Sequence, residues 1–149
     1  MSNYRSEIIG VGAFVPENIY TNFDIEEMLD TSDEWIKQRT GIEKRHWADA
    51  NVSTTDLALK ASLEAIENSP ISKDDIDMII FATLSPDHEF PGNGCFLQEK
   101  LGLSEIPAFD IRQQCSGFVY GLSMANCFIK SGQYKNILLV GAEMHSKGL

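Results

Sequence analysis

Three nearly continuous apolar runs, Ile8 to Val15, Ile76 to Leu84 and Ile137 to Ala142, constrain this chain more than any other feature. A strand with one wet face alternates apolar and polar residues, whereas an unbroken run is the pattern of a strand covered on both faces. The segments between the runs have helical spacing. Ser53-Thr54-Thr55-Asp56 reads as a capping box, and Leu59, Leu63 and Ile66 recur after it at helical intervals. Phe118, Leu122, Ala125 and Ile129 form a second stripe. Strands alternating with helices predict an α/β fold with a mixed, mostly parallel sheet and crossover helices. Ligands of such sheets bind beyond the carboxyl ends of the strands.

Cys115 falls at that edge. A short strand, Pro107-Ala108-Phe109-Asp110-Ile111, leads to a helix opened by Cys115-Ser116-Gly117-Phe118. The unpaired N–H groups and positive dipole end of a helix start favour a thiolate, which nominates Cys115 as an acyl-transfer nucleophile. The same residue also fits a small buried hydrophobe, and a catalytic thiol needs a base from elsewhere in the fold. Cys95, after Gly92-Asn93-Gly94, and Cys127, inside the following helix, read as packing residues. Three cysteines without C-x-x-C spacing give neither a zinc site nor an even disulfide framework, so reduced thiols and no metal are expected.

With 22 acidic residues against 12 basic ones, the net charge of −10 disfavours nonspecific binding to nucleic acid or to anionic membrane. No apolar run approaches the roughly 20 residues of a membrane span, and the N-terminus lacks the pattern of a secretory signal. A cytoplasmic protein is expected. A chain of 149 residues without repeats, low-complexity tracts or a linker reads as one domain or part of one. Only seven residues follow the run Ile137 to Ala142, which carries the expectation that the chain is incomplete.

Four of the basic residues, Lys37, Arg39, Lys44 and Arg45, lie within nine positions, beside Trp35 and Trp47. Thr31-Ser32-Asp33-Glu34 reads as another capping box, so Trp35 and Arg39 share a helix face at i and i+4. Such a face either stacks a base and holds phosphates or is an ordinary surface cation–π pair. Gly10-Val11-Gly12 is read as a tight strand exit, because a dinucleotide loop needs a third glycine and a following helix. Asp87-His88-Glu89 is read as a solvated loop, since adjacent residues lack metal-site spacing. His46 and His145 have no partner visible in sequence.

Taken in order, Asp30-Thr31-Ser32-Asp33-Glu34-Trp35-Ile36-Lys37-Gln38-Arg39-Thr40-Gly41-Ile42, then Phe90-Pro91, then Pro107 to Ile111 leading to Cys115-Ser116-Gly117-Phe118, resemble β-ketoacyl-acyl-carrier-protein synthase III. The resemblance implies a thiolase-like fold in which two similar halves build αβαβα layers and two subunits pair. Residues 1–149 would be the N-terminal half, with the C-terminal half outside this chain. It further implies that Cys115 takes an acyl group from acyl-CoA and condenses it with malonyl-acyl carrier protein as carbon dioxide leaves, starting a fatty acid. Thr31 and Trp35 would contact the adenine of coenzyme A, Arg39 and Thr40 would line its phosphate entrance, and Phe90 would reach across a homodimer to the neighbouring acyl pocket. No permanently bound cofactor is implied.

Two departures bear on that expectation. The family's histidine and asparagine, in His-Gln-Ala-Asn and Gly-Asn-Thr-Ser type motifs, do not occur, and His46, His88 and His145 do not match that histidine. Gln113-Gln114 precedes Cys115 where familiar members carry small residues, which bears on acyl specificity. Alternatives are a non-catalytic or split condensing-enzyme subunit, or a related polyketide, alkylquinolone or long-chain β-ketoacid synthase.

Overall fold

The computed structural model describes residues 5–146. Their contacts group into two units, residues 5–14 with 53–145 and residues 15–52 with 146.

The larger unit is built on a three-stranded parallel sheet of β3 (Met78–Ala82), β4 (Ala108–Ile111) and β5 (Ile137–Gly141), in the order β4-β3-β5. Every residue of β3 is buried, which is why its sequence has no polar alternation. Successive side chains point to opposite faces. Ile79 and Phe81 join Ala58, Leu97, Leu101 and Val140 in a core beneath two helices, α3 (Thr54–Glu67) and α4 (Asn93–Leu101). Burying Ile79, Phe81 and Leu97 completely contributes about 1.5–3 kcal/mol for each side chain. Ile80 faces the other way, towards α5 (Gly117–Ser131), which sits close because Gly121 lies over Leu139 and Ile80. A Cβ at Gly121 would come 2.5 Å from Leu139 Cδ1. Gly132 ends α5 at φ 75°, a left-handed conformation that residues with a Cβ adopt at a cost.

The capping box at Ser53 and Asp56 is present, as the sequence predicts. The buried face of α3 differs from the expected stripe, however. Leu59 and Ile66 pack against the core, but Leu63 is exposed and Thr54, Thr55, Ala58 and Ser62 are the buried residues, with Asp87 and Ser85 offering the two threonines the acceptors that make their burial possible.

The runs Ile76 to Leu84 and Ile137 to Ala142 contain β3 and β5, but Ile8 to Val15 forms no strand. Its apolar side chains Ile8, Val11 and Val15 are 71%, 68% and 56% exposed. Gly10 and Gly12 are not a tight strand exit either. They let the segment lie against the α3 backbone, where a Cβ would come 2.3 Å from Ala65 O and 2.2 Å from Ala61 O. Glu64 accepts from Ala13 N at 2.7 Å and Asn68 donates to Val11 O at 3.0 Å, so the segment is held to α3 rather than to the sheet.

In the smaller unit, β1 (Asn18–Thr21) pairs antiparallel with β2 (Lys44–Trp47), and the rings of Tyr20 and Trp47 meet at 4.5 Å. Thr21 and Asp24 form the capping box of α1 (Asn22–Glu26). The helix α2 (Asp33–Thr40) starts one residue later than the sequence suggests. Its N-cap is Ser32, which accepts from Trp35 N, and Thr31 stays outside the helix.

Candidate active site

The carboxyl ends of β3, β4 and β5 open into three loops that are tied to one another. Glu143, just after β5, accepts from Leu84 N at 2.7 Å, Ser85 N at 3.1 Å and Ser85 Oγ at 2.7 Å. Ser85 Oγ in turn accepts from Met144 N. Arg112, after β4, pairs with Glu89 at 2.9 Å, which links the turn leading to Cys115 with the loop carrying Phe90. The Phe90–Pro91 peptide is cis, and the Phe90 side chain is 91% exposed.

Three helices direct their N-termini into this region, and they differ in charge. Asp87 closes α3, accepting from Thr54 N at 2.7 Å, Thr55 N at 3.0 Å and the Thr55 hydroxyl. Its own N–H donates to Asn93 Oδ1 at 3.0 Å. The expectation of a solvated Asp87 is therefore corrected; a helix cap 33 positions away in sequence leaves no local signal. Asp110 closes α4, accepting from Asn93 N at 2.7 Å and Gly94 N at 2.8 Å. At α5 the N-cap Ser116 makes no side-chain hydrogen bond and the first turn holds no acid. Its N–H groups and positive dipole end are left for something else.

Cys115 stands at that open end, exposed, in a 3-10 turn spanning Gln114–Ser116. Gln114 has φ 36°, and it is the only non-glycine residue with positive φ among the described residues. Such outliers concentrate at functional turns, where surrounding structure holds them in place. The Gln113 carbonyl accepts from Ser116 N at 3.1 Å, closing the turn around the thiol. Cys115 makes no hydrogen bond among the described residues; in its own unit His88 stacks on Phe96 and His145 lies 3.7 Å from Glu143, and in the smaller unit His46 meets Pro16 O. Cys95, on α4, and Cys127, on α5, are exposed rather than packed. No group of three or more potential metal ligands occurs among the described residues.

The remaining candidates lie in the smaller unit. Arg39 sits over the Trp35 ring at 5.7 Å to its centroid, as the i, i+4 spacing predicts, and makes no ion pair among the described residues. Trp35 is 54% exposed. Lys37 pairs with Asp33 at 3.1 Å, and Arg45 donates to Asn22 Oδ1 at 2.7 Å, so much of the basic cluster serves the unit itself. The Asn22 amide, helped by Lys37, holds the Asp33 carboxyl below its usual range. Thr40 Oγ1 donates to Ile36 O and accepts from Ile42 N, finishing the helix. Thr31 Oγ1 is buried without a hydrogen-bond partner among the described residues.

Comparison with known proteins gives a consistent family. The description 3-oxoacyl-[acyl-carrier-protein] synthase III matches residues 109–149. The chain is 54% identical over 140 residues to β-ketoacyl-[acyl-carrier-protein] synthase III of Fusobacterium nucleatum, covering 94% of this chain and 43% of that protein. It superposes on the crystal structure of 3-oxoacyl-[acyl-carrier-protein] synthase III from Aquifex aeolicus with TM-score 0.90 and 46% identity, covering 95% of this chain and 46% of that one. It also superposes on the priming β-ketosynthase of the R1128 polyketide pathway with TM-score 0.91 and 26% identity, covering 98% and 44%. The architecture is thus the thiolase-like α/β fold of these enzymes, and the chain spans somewhat less than half the length of the relatives it matches.

Proposed function

We propose, for a chain that belongs by sequence to the β-ketoacyl-[acyl-carrier-protein] synthase III family, that Cys115 is the acyl-accepting nucleophile of a condensing enzyme that starts fatty acid synthesis. The observation that carries this reading is the exposed Cys115 thiol at the one helix start in the region that no aspartate closes. The Cys115 sulfur attacks the carbonyl carbon of an acyl-CoA thioester, and a tetrahedral oxyanion forms. Backbone N–H groups at the start of α5 stabilise that charge. The carbon–sulfur bond to coenzyme A breaks, its thiolate leaves, and an acyl-enzyme remains. In the second stage malonyl-acyl carrier protein loses carbon dioxide, its carbanion attacks the acyl carbon, and the Cys115 thiolate departs. The second stage needs donors that polarise the malonyl thioester, and the three histidines of this chain are engaged elsewhere.

Coenzyme A is held, in this reading, by the smaller unit. Trp35 and Thr31 contact the adenine, and Arg39 and Thr40 line the phosphate entrance. The Arg39 guanidinium, which makes no ion pair among the described residues, and the Thr31 hydroxyl, unpartnered among them, support it; the Thr40 hydroxyl, already committed to Ile36 O, contributes through its position. Phe90, at 91% exposure, belongs against the acyl pocket of a second subunit in a homodimer. Gln113 and Gln114 beside the thiol bear on which acyl group is accepted. The fold is shared with a polyketide priming synthase, so the same nucleophile also suits a priming step outside fatty acid synthesis.

Intact-mass spectrometry after exposure to a panel of acyl-CoAs tests the first stage. The expected result is a single adduct, of mass set by the primer, that Cys115→Ala abolishes and that Arg39→Ala makes about tenfold less sensitive to acyl-CoA concentration. Ready alkylation of Cys115 by iodoacetamide with no acyl adduct from any member of the panel would overturn transfer by this chain.

A further inference from the structure

The loop from β3 to α4 is fastened at both ends and tied at its tip by one contact. Near β3, Glu143 accepts from Leu84 N and Ser85 N, and Asp87 accepts from the first turn of α3. Near α4, Asn93 N and Gly94 N donate to Asp110, and a Cβ at Gly92 would come 2.7 Å from the same carboxyl. Between these anchors, residues 88–91 make a single polar contact among the described residues: Glu89 Oε2 meets Arg112 Nη1 at 2.9 Å. His88 adds a ring contact with Phe96.

Arg112 follows the last residue of β4, and only Gln113 and Gln114 separate it from Cys115. Those two residues carry little slack, because the Gln113 carbonyl accepts from Ser116 N at 3.1 Å and Gln114 has φ 36°. A backbone in that region stays there only while the structure around it holds it. Glu89, on the other side of the pair, immediately precedes Phe90. One ion pair thus joins the turn of the thiol to the loop of the exposed ring. Magnitude decides what it can do. The Arg112 and Glu89 side chains are 45% and 84% exposed, and a pair so open shifts an equilibrium by about fivefold at most. That is too little to hold the fold together and enough to bias a strained turn between two positions.

We infer that Arg112 and Glu89 are positioning residues, an ion pair that couples the set of the Cys115 turn to the position of the Phe90 loop. With the pair closed, the turn keeps the thiol at the open start of α5, where backbone N–H groups favour the thiolate. With the pair open, the Gln114 turn relaxes and the thiolate loses part of that support. The consequence for function rests on the reading of Cys115 as nucleophile and of Phe90 as a wall of the second subunit's acyl pocket. An acyl chain held in one subunit then presses on the Phe90 loop of the other and, through Glu89 and Arg112, alters the thiol of that other subunit.

The test is the rate of Cys115 alkylation by iodoacetamide in this full chain near neutral pH, read by peptide mass spectrometry with the exposed Cys95 and Cys127 as references in the same sample. Both partners are exposed, so their substitution is compatible with folding. Charge alone predicts opposite signs: Arg112→Ala removes a cation and would slow the reaction, whereas Glu89→Gln removes an anion and would quicken it. Loss of the tie predicts that both variants slow Cys115 about two- to fivefold and leave Cys95 and Cys127 unchanged. Exchanging the charges, Arg112→Glu with Glu89→Arg, should restore the rate to within about twofold, and since the charge beside the turn is then reversed, the restoration belongs to the pair. Unchanged rates in both single variants, shifts of opposite sign, or an exchange that restores nothing would overturn the coupling. With acyl-CoA in place of iodoacetamide, each single variant should lower the maximal rate of adduct formation and leave the half-saturating concentration unchanged, because neither residue belongs to the unit of Trp35 and Arg39. If alkylation shows the coupling while no acyl-CoA reacts, the acyl-transfer reading falls and the coupling stands. If acyl transfer proceeds undiminished in both variants, the coupling falls and that reading stands.

Discussion

The carboxyl end of the sheet and the outer edge of β5 belong to the same strands, yet they are finished in opposite ways. At the carboxyl end, Asp87, Asp110 and Glu143 accept hydrogen bonds from named backbone groups of neighbouring loops and helices. At the edge, apolar side chains stand open and the Ser62 hydroxyl is unpaired among the described residues. Side chains within this chain determine the first region locally. The second is left open, with the Ile8 segment held to α3 rather than to β5.

The contrast can be broken most forcefully at Asp87. Asp87→Ala removes three charge-assisted bonds at the start of α3 and leaves its donors unmet. A loss of about 3 kcal/mol is expected from denaturant unfolding. A loss below about 1 kcal/mol would show that the loop's bonds are replaced by water and that the carboxyl end is no better finished than the edge.

Ser62→Ala sharpens the other side. Removing a buried hydroxyl that has no partner among the described residues should leave the chain unchanged or stabilise it by up to about 1 kcal/mol. Destabilisation by Ser62→Ala in the isolated chain would mean that the hydroxyl is already satisfied there.

The smallest effect concerns the Lys100–Asp56 pair, 2.9 Å apart and partly exposed. The Lys100 ammonium, with the Ser53 backbone N–H, holds the Asp56 carboxyl below its ordinary 3.8. Asp56 therefore adds stability that is present above that ordinary value and is lost as pH falls through the lowered one. Lys100 is raised above 10.5 by Asp56, so its share is present below 10.5 and lost as pH rises through the raised value. Solvent screening keeps the whole contribution under about 1 kcal/mol. Asp56→Asn should flatten the acid limb of stability measured by unfolding as pH falls below the ordinary 3.8, and an unchanged limb would assign it to other carboxylates.

The contrast also explains what could be read from sequence. β3, β5, the α3 capping box and the Trp35–Arg39 pair depend on residues a few positions apart, and each left a local pattern. Ile8 to Val15 has the composition of a covered strand, but composition does not say whether a neighbouring strand stands beside it. Thr31-Ser32 offered two adjacent hydroxyls, and only geometry selects Ser32 as the cap. The roles of Asp87, Asp110 and Glu143 were illegible because their partners lie as far as 59 positions away in sequence. The placement of Cys115 at a helix start was legible because strand, turn and helix are contiguous there.

Asp87 and Asp110 also act as addresses. In a chain of net charge −10 an anion has few places to settle, and two of the three helix starts near Cys115 are already answered by an aspartate. Deleting either aspartate would do more than loosen a helix, because it would expose a rival positive end and divide the traffic. Where an anion lands is thus decided partly by two side chains that never meet it.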